Sequence, residues 1–217
     1  MRAVIGDLLT LTNVITSALT CSSFFISSAR ADAQHRVEID ASHAVNLAFA
    51  RLTKEQTYRI ETKGSSGGAA IDSRIDVQLP DKFHILNRAP NPSELILTSD
   101  GSFAKTDAKS PWRAVPMSYR SIAESMGPKA TEKLLKTMRE VVFKGVANCA
   151  GPGRLAMDAK QYQFLTESET NAVMRTTITI ANDSGLPCRI RAQQSEAGID
   201  TTATYDYTRS IRIRSPK

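Results

Sequence analysis

Residues 64–68 read Gly-Ser-Ser-Gly-Gly and match the pattern G-x-S-x-G, which in many hydrolases holds a nucleophilic serine. That chemistry needs a strand, the serine and then a helix, with a histidine and an acid to activate the hydroxyl group. Here a second strand pattern follows Ser66, and His84 is the only histidine after it. A β-hairpin turn accounts for all three glycines. We therefore expect a structural turn at this place and predict that the chain is not an enzyme.

The other polar residues also lack the arrangement that catalysis or metal binding needs. Asp72 and Asp76 lie four apart in a strand pattern, so they share one face and cannot divide acid and base roles. There is no phosphate-binding loop. Neither Cys149 nor Cys188 has a cysteine or histidine at the spacing of a metal site. The sequence predicts no metal site and no cofactor.

The first 33 residues have the pattern of an export signal. Leu8 to Ile26 is mostly apolar or small, and small-x-small cleavage patterns end at residues 31 and 33. We predict cleavage near Ala33, which leaves residues 34–217 as a single periplasmic or secreted domain. A retained membrane anchor is one alternative. Lipid attachment at Cys21 is another, although Thr20 stands where that motif usually has Gly or Ala.

Removal of the signal would leave two cysteines, Cys149 and Cys188. An even pair in an exported chain predicts a disulfide bond. Two buried free thiols are the alternative. Closing the loop between these positions would stabilise the fold by about 3–4 kcal/mol in the chain-entropy model.

The net charge of +6 and the estimated pI of 9.3 come from basic residues that are spread along the chain. There is no block of Lys and Arg with interleaved aromatic residues, so we predict no nucleic-acid binding. A basic surface can attract an anionic membrane or an acidic partner. A solvated basic face without a partner explains the same composition.

The order of elements predicts a mainly β (α+β) fold. A helix pattern runs from Asp40 to about Leu52, and about five strand patterns follow. Helical patterns then cover Ser118–Met126 and Lys129–Phe143, before about five more strands. Short connections make the strands antiparallel, and a sheet of about ten strands must curl or split. We therefore expect a strongly curved, half-open antiparallel β-barrel with helices on its inner side, present as a monomer.

Four segments, in this order, are similar to the LolA/LolB lipoprotein carriers and the related LppX/LprG-type lipid carriers. They are Val45–Tyr58, Ile75–Phe83, Ser184–Pro187, and Tyr205–Tyr207 with the residues that follow to Pro216. The resemblance covers most of residues 40–216. It implies a half-closed barrel with a helical lid that binds acyl chains and performs no catalysis.

The candidate ligand-lining residues share the predicted inner parity of the strands or lie on the predicted lid. On the strands they are Ile60, Val77, Leu97, Ile178, Ile190 and Tyr205, and on the lid they are Leu135 and Met138. Plain core packing is the alternative for each of them. Cys188 has the parity of Ile190, and Cys149 directly follows the predicted helical insertion. A bond between them is therefore expected to join the base of the lid to the sheet.

These patterns predict an exported, non-catalytic carrier or binding protein for lipid, for the acyl chains of a lipoprotein, or for another apolar ligand. The alternative is an envelope sensor or interaction module that uses the same fold to bind an envelope or membrane protein. A structural β domain with a filled interior is a third interpretation.

Overall fold

The computed structural model describes residues 40–107, 109–126, 128–149, 157–167 and 173–216. These residues belong to one compact unit, Val37–Lys217. The predicted signal peptide, its cleavage site near Ala33 and the alternative lipidation site at Cys21 lie outside the described residues. The start of the mature domain therefore stays a prediction.

The elements follow the predicted order of a helix, strands, a helical insertion and more strands. Helix α1 covers residues 40–52. The remaining elements are β1 (Thr57–Ser66), β2 (Ala69–Gln78), β3 (Lys82–Ala89), β4 (Ser93–Thr98), β5 (Gly101–Lys105), β6 (Arg113–Ala114), α2 (Tyr119–Met126), α3 (Pro128–Thr137), β7 (Met138–Cys149), β8 (Met157–Glu167), β9 (Val173–Ala181), β10 (Pro187–Gln194) and β11 (Ile199–Asp206).

All eleven strands form one antiparallel sheet in the order β6-β5-β4-β3-β2-β1-β11-β10-β9-β8-β7. The first and last halves of the chain meet in the middle of the sheet, where β1 pairs with both β2 and β11. The edge strands β6 and β7 do not pair with each other among the described residues, so the sheet does not close. The predicted fold class, a curved and half-open antiparallel sheet with helices, is confirmed.

One face of the sheet carries the apolar side chains and is covered by the helices; we call it the helix face. On this face, apolar residues of neighbouring strands stand directly opposite each other. Examples are the pairs Ile178 and Ile190, Tyr205 and Ile60, and Val77 and Phe83. The opposite face carries Arg59, Asp76 and other polar residues. This alternation is the two-residue period that the sequence shows in each strand.

Two clusters of side chains form the core on the helix face. The first lies under α1 and contains Phe164 and Ile178, with Val45 and Phe49 from the helix. The second lies on β1–β4 and contains Val77, Phe83 and Leu97, which are fully buried. Burying each large apolar side chain contributes about 1.5–3 kcal/mol, so these clusters are the main source of stability.

Helices α2 and α3 span both clusters. Tyr119 and Ile122 of α2 pack against the second cluster, whereas Leu134 and Leu135 of α3 pack against the first. None of the residues of α3 is fully buried. Among the described residues, no helix has both the length and the apolar character needed to span a membrane.

The predicted helix over Lys129–Phe143 is wrong beyond Thr137, because β7 begins at Met138. Residues 141–143 are Val-Val-Phe, and β-branched and aromatic side chains favour a strand when a partner strand is available. That partner is β8, which pairs with β7 along its length. The register shifts between Arg139 and Val142, where Glu140 has a φ of 53°.

The alternation of apolar residues in the sequence continues from Ala203 to Ile213, but the last strand, β11, ends at Asp206. The Asp206 carboxylate accepts hydrogen bonds from the Thr208 backbone N–H (3.0 Å) and from Arg209 Nε (2.9 Å). Such local bonds compete with the strand ladder and turn the chain. The following residues cross to the opposite face of the sheet, where the Ile213 N–H donates to Gln78 Oε1 at 2.9 Å.

Candidate functional site

The structure divides the predicted ligand-lining residues between the two core clusters. Ile60, Val77, Leu97 and Tyr205 belong to the second cluster, whereas Leu135, Met138, Ile178 and Ile190 belong to the first. Val77, Leu97 and Ile178 are completely covered by neighbouring residues. All eight therefore share the helix face, but they do not converge on one point. Their role as ligand contacts stays a prediction.

Met138 does not come from the helical lid, as the sequence pattern suggested. It is the first residue of β7 and pairs with Thr166 of β8. It reaches the first cluster from the sheet, because its side chain points to the face that α1 covers. Leu135 is on α3 as predicted.

Three tyrosines form the aromatic centre of the second cluster. The ring centroids of Tyr58, Tyr205 and Tyr207 lie 6.0–6.3 Å apart. Burial raises the pKa of Tyr58 to about 12, and burial followed by the proximity of Tyr58 raises the pKa of Tyr205. The Tyr207 hydroxyl donates a 2.7 Å hydrogen bond to the Pro187 carbonyl. Burial thus favours the neutral form of Tyr58 and Tyr205, and the contacts among the three rings tie β1 to the end of β11.

The disulfide bond between Cys149 and Cys188 is present, as predicted, but its place differs from the expectation. Cys149 is the last residue of β7 and lies 12 residues after the helical insertion rather than directly behind it. The strand register shifts between Pro187 and Arg189, so the Cys188 side chain points to the face opposite the one that its parity with Ile190 predicted. The bond packs with Ala159 and Ala181 on the face opposite the helices. The hypothesis that it joins the lid to the sheet is therefore wrong.

The G-x-S-x-G segment is a hairpin and not a nucleophile elbow. Ser66 ends β1 and pairs with Ala69 of β2, and Gly67 and Gly68 form the turn with positive φ values of 56° and 80°. His84 pairs with Asp76, which pairs with Arg59, seven residues before Ser66 on β1. Seven strand residues span about 23 Å, so the serine and the histidine cannot form a hydrogen bond.

Within the part of the chain that the structure describes, β7 is an edge strand and carries three of the six exposed large apolar side chains. On β7 these are Val142, Phe143 and Val146, of which Val146 is 78% exposed. Val173, also exposed, lies at the same end of the sheet on β9. Lys144 and two register shifts are features that protect an edge from unwanted pairing. From Gly145 to Cys149, however, the pairing with β8 is regular.

A small cleft of about 200 Å³ adjoins this edge on the helix face. Phe143 and Tyr162 form its apolar wall, with their ring centroids 5.5 Å apart, and Ala41 of α1 contributes to the floor. Asp40 and Lys160 place one charge of each sign at the rim. Val146 pairs with Lys160 and so points toward the same face. The cleft suits a medium-sized apolar side chain.

A ladder of charged residues crosses the opposite face of the sheet. Arg59 Nε and Nη2 donate to the two carboxylate oxygens of Asp76 at 2.5 and 3.0 Å. His84 Nδ1 lies 3.8 Å from Asp76, and its Nε2 lies 2.6 Å from Glu94 Oε1. Lys105 Nζ is 2.6 Å from the other oxygen of Glu94. Within the described residues, no group of three or more His, Cys, Asp or Glu side chains has the arrangement of a metal site.

Sequence reasoning missed both the free edge and the charged ladder. The sequence did not reveal the edge, because its pattern over residues 138–143 predicted a helix. The sequence did indicate the ladder, since one charged or titratable residue stands on the same face of each of four successive strands: Arg59, Asp76, His84 and Glu94. The register that makes them neighbours depends on turn geometry and could not be read from each strand alone.

No family model matches this chain, and no curated protein matches it. Among solved structures, it is similar to MucB, with a TM-score of 0.49 and 10% identity over 80% of this chain and 61% of MucB. The chain thus spans about three-fifths of the length of that protein. A Pseudomonas aeruginosa MucA/MucB complex gives a TM-score of 0.45 and 11% identity over 76% of this chain and 55% of the matched chain.

A DUF1329 family protein from Desulfovibrio piger gives a TM-score of 0.31 and 11% identity over 78% of this chain and 91% of that protein. With TM-scores below 0.5, these similarities assign neither a family nor a function to the chain.

Proposed function

We propose that this chain is an exported, non-catalytic binding module that takes up an extended segment of a partner protein at the edge strand β7. One observation carries the proposal. The 12-residue strand β7 is an edge of the described sheet and pairs regularly with β8 from Gly145 to Cys149, and it carries three of the six exposed large apolar side chains among the described residues, with Val146 the most exposed. This is the interaction-module interpretation of the sequence, with a defined surface.

The backbone of β7 supplies the affinity. In an antiparallel ladder, about half of the residues of an edge strand direct their N–H and C=O groups away from the neighbouring strand. An added strand satisfies these groups with main-chain hydrogen bonds, as in other cases of β-strand addition. Natural proteins shorten or cover such edges unless they are used. At the other end of the sheet, β6 has only two residues.

The side chains beside β7 supply the specificity. An added strand alternates its side chains between the two faces, so every second residue lies on the helix face beside Val146 and Phe143. The cleft of Phe143, Tyr162 and Ala41 receives an apolar side chain there. We therefore expect a partner segment with apolar residues at alternate positions and no proline among them.

The disulfide bond supports the exported location, because such bonds persist in oxidising compartments. The non-catalytic character is supported by the separation of Ser66 from His84 along the sheet. The resemblance to the LolA/LolB carriers remains part of the proposal, since those carriers also bind without catalysis.

The test is selection of extended peptides from a display library on the purified, disulfide-intact protein, followed by affinity measurement. We expect Val146→Lys to weaken the selected peptides by about tenfold or more, because it places a charge against their apolar residues. Met117→Lys is the matched control, since Met117 is an exposed apolar residue away from β7. Hydrogen exchange should show new protection in β7. Equal binding to both variants, or protection elsewhere, would refute the proposal.

A second candidate function is binding of a lipid or acyl chain between α3 and the sheet. It is favoured by α3, which covers the first cluster although none of its residues is fully buried. Such a helix can lift at a low cost in buried apolar area. The test is native mass spectrometry after purification from an envelope extract, with analysis of extracted lipids. A lipid-free mass and no uptake of an apolar dye would exclude this function.

A further inference from the structure

A cleft of about 350 Å³ lies on the face of the sheet opposite the helices, far from the helix-face cleft beside β7. Arg59, Asp76 and His84 form its floor, and the C-terminal segment 210–214 forms its wall. Its volume is in the range of small-molecule sites. Neither the peptide-binding proposal nor the lipid proposal uses it.

The floor of this cleft already has its negative charge neutralised. Asp76 is nearly buried, and its two oxygens both accept hydrogen bonds from Arg59. Arg74 Nε lies a further 3.7 Å from the same carboxylate. A carboxylate held by two guanidinium groups neither repels an anion strongly nor attracts a cation. The floor is therefore positive or neutral toward a ligand.

The wall of the cleft adds positive charge that nothing in the described chain balances. Arg212 and Arg214 are exposed and line the cleft, and no ion pair or hydrogen bond of their side chains occurs among the described residues. Ile213 between them is buried, and its N–H donates to Gln78. Ser215 Oγ lies 3.4 Å from Thr98 Oγ1. The two arginines are thus presented from a segment that is anchored between them at Ile213 and after them at Ser215.

We infer that this cleft binds a phosphate-type oxyanion, with Arg212 and Arg214 as the main donors. Three arginines and a single, neutralised carboxylate line it. The guanidinium group is the side chain whose planar donors match phosphate oxygens in pairs. The cleft is larger than inorganic phosphate, so a phosphorylated small molecule or the head group of an anionic phospholipid fits the same chemistry.

Calorimetric titration tests the site with three ligands: inorganic phosphate, glycerol 3-phosphate, and vesicles of phosphatidylcholine with phosphatidylglycerol. The test variant is Arg212→Gln/Arg214→Gln, and the control is Arg113→Gln/Arg120→Gln. The control removes the same charge from exposed arginines that do not line the cleft. Losing a charge-assisted hydrogen bond should weaken binding in the test variant by at least about tenfold.

Proton NMR of the His84 imidazole reports the position of binding independently. Its resonances should shift on saturation with glycerol 3-phosphate in the control variant and should not shift in the test variant. Binding of the two soluble phosphates supports a free ligand, whereas binding of the vesicles alone supports a lipid head group. The inference is overturned if none of the three ligands binds, or if the test variant and the control bind equally. Neither result bears on peptide binding at β7.

Discussion

Cys149 at the end of β7 and Cys188 at the start of β10 are bonded, although β8 and β9 lie between their strands in the sheet. Three strand spacings in a flat sheet would separate them by about 14 Å. Their Cα atoms are 5.8 Å apart. The sheet therefore bends sharply at this corner, over the small side chains of Ala159 and Ala181.

Removal of this bond with Cys149→Ala/Cys188→Ala should lower the free energy of unfolding by about 3–4 kcal/mol, because the loop of 39 positions is then open in the unfolded chain. Urea unfolding of the variant and the wild type measures the difference. The wild type in reducing agent is the control and should match the variant. An unchanged urea midpoint would show that the bond does not stabilise the folded protein.

Ala159→Val should destabilise the protein by about 1–3 kcal/mol, since Ala159 is fully buried under the disulfide and has no room for two methyl groups. Ala114→Val on the short edge strand β6 is the control, because Ala114 is exposed. Thermal unfolding measures both changes. Equal melting temperatures for the two variants would contradict the close packing at this corner.

Gly64→Ala should be more destabilising than Gly67→Ala, although both glycines have positive φ values. A Cβ atom at Gly64 would collide with the Asp200 carbonyl of β11, whereas a Cβ atom at Gly67 meets nothing within 4 Å. Each substitution costs about 1 kcal/mol for the backbone conformation alone. Chemical unfolding of both variants measures the additional cost. Equal costs would mean that β1 and β11 separate easily at this place.

The charged ladder should make stability depend on pH through Glu94. Partial burial by itself raises the pKa of Glu94, but hydrogen bonds with Lys105 and His84 outweigh it, so the pKa lies below the ordinary 4.5. The carboxylate therefore contributes stability that is present above the ordinary pKa and is lost as the pH falls through the lowered one. We expect Glu94→Gln to reduce the loss of stability between neutral pH and about pH 3.

Urea unfolding at several pH values gives this comparison. Glu124→Gln is the matched control, because Glu124 is an exposed residue of α2, and it should keep the pH dependence of the wild type. Identical pH profiles for the wild type and Glu94→Gln would show that the carboxylate titrates as it does in the unfolded chain.

The order of the elements and the apolar face of most strands were readable from the sequence, because alternation and turn residues act over a few positions. Ile60 and Ile178 show this, since both lie on the predicted inner face of their strands, β1 and β9. Residues 138–143 were misread, because a short run of Val and Phe suits a helix or a strand equally until a partner strand is known.

The sequence by itself determined a helix-covered antiparallel sheet and the disulfide pair, since hydrophobic period and cysteine number are local or countable properties. Only the tertiary structure decided where that pair lies, because the register shift before Arg189 turns Cys188 to the other face. It also decided that β7 is an edge of the described sheet and that Arg212 and Arg214 line the same cleft as Arg59. Both features bring together or separate residues that are far apart in the chain, and they follow from strand order and register rather than from any single segment.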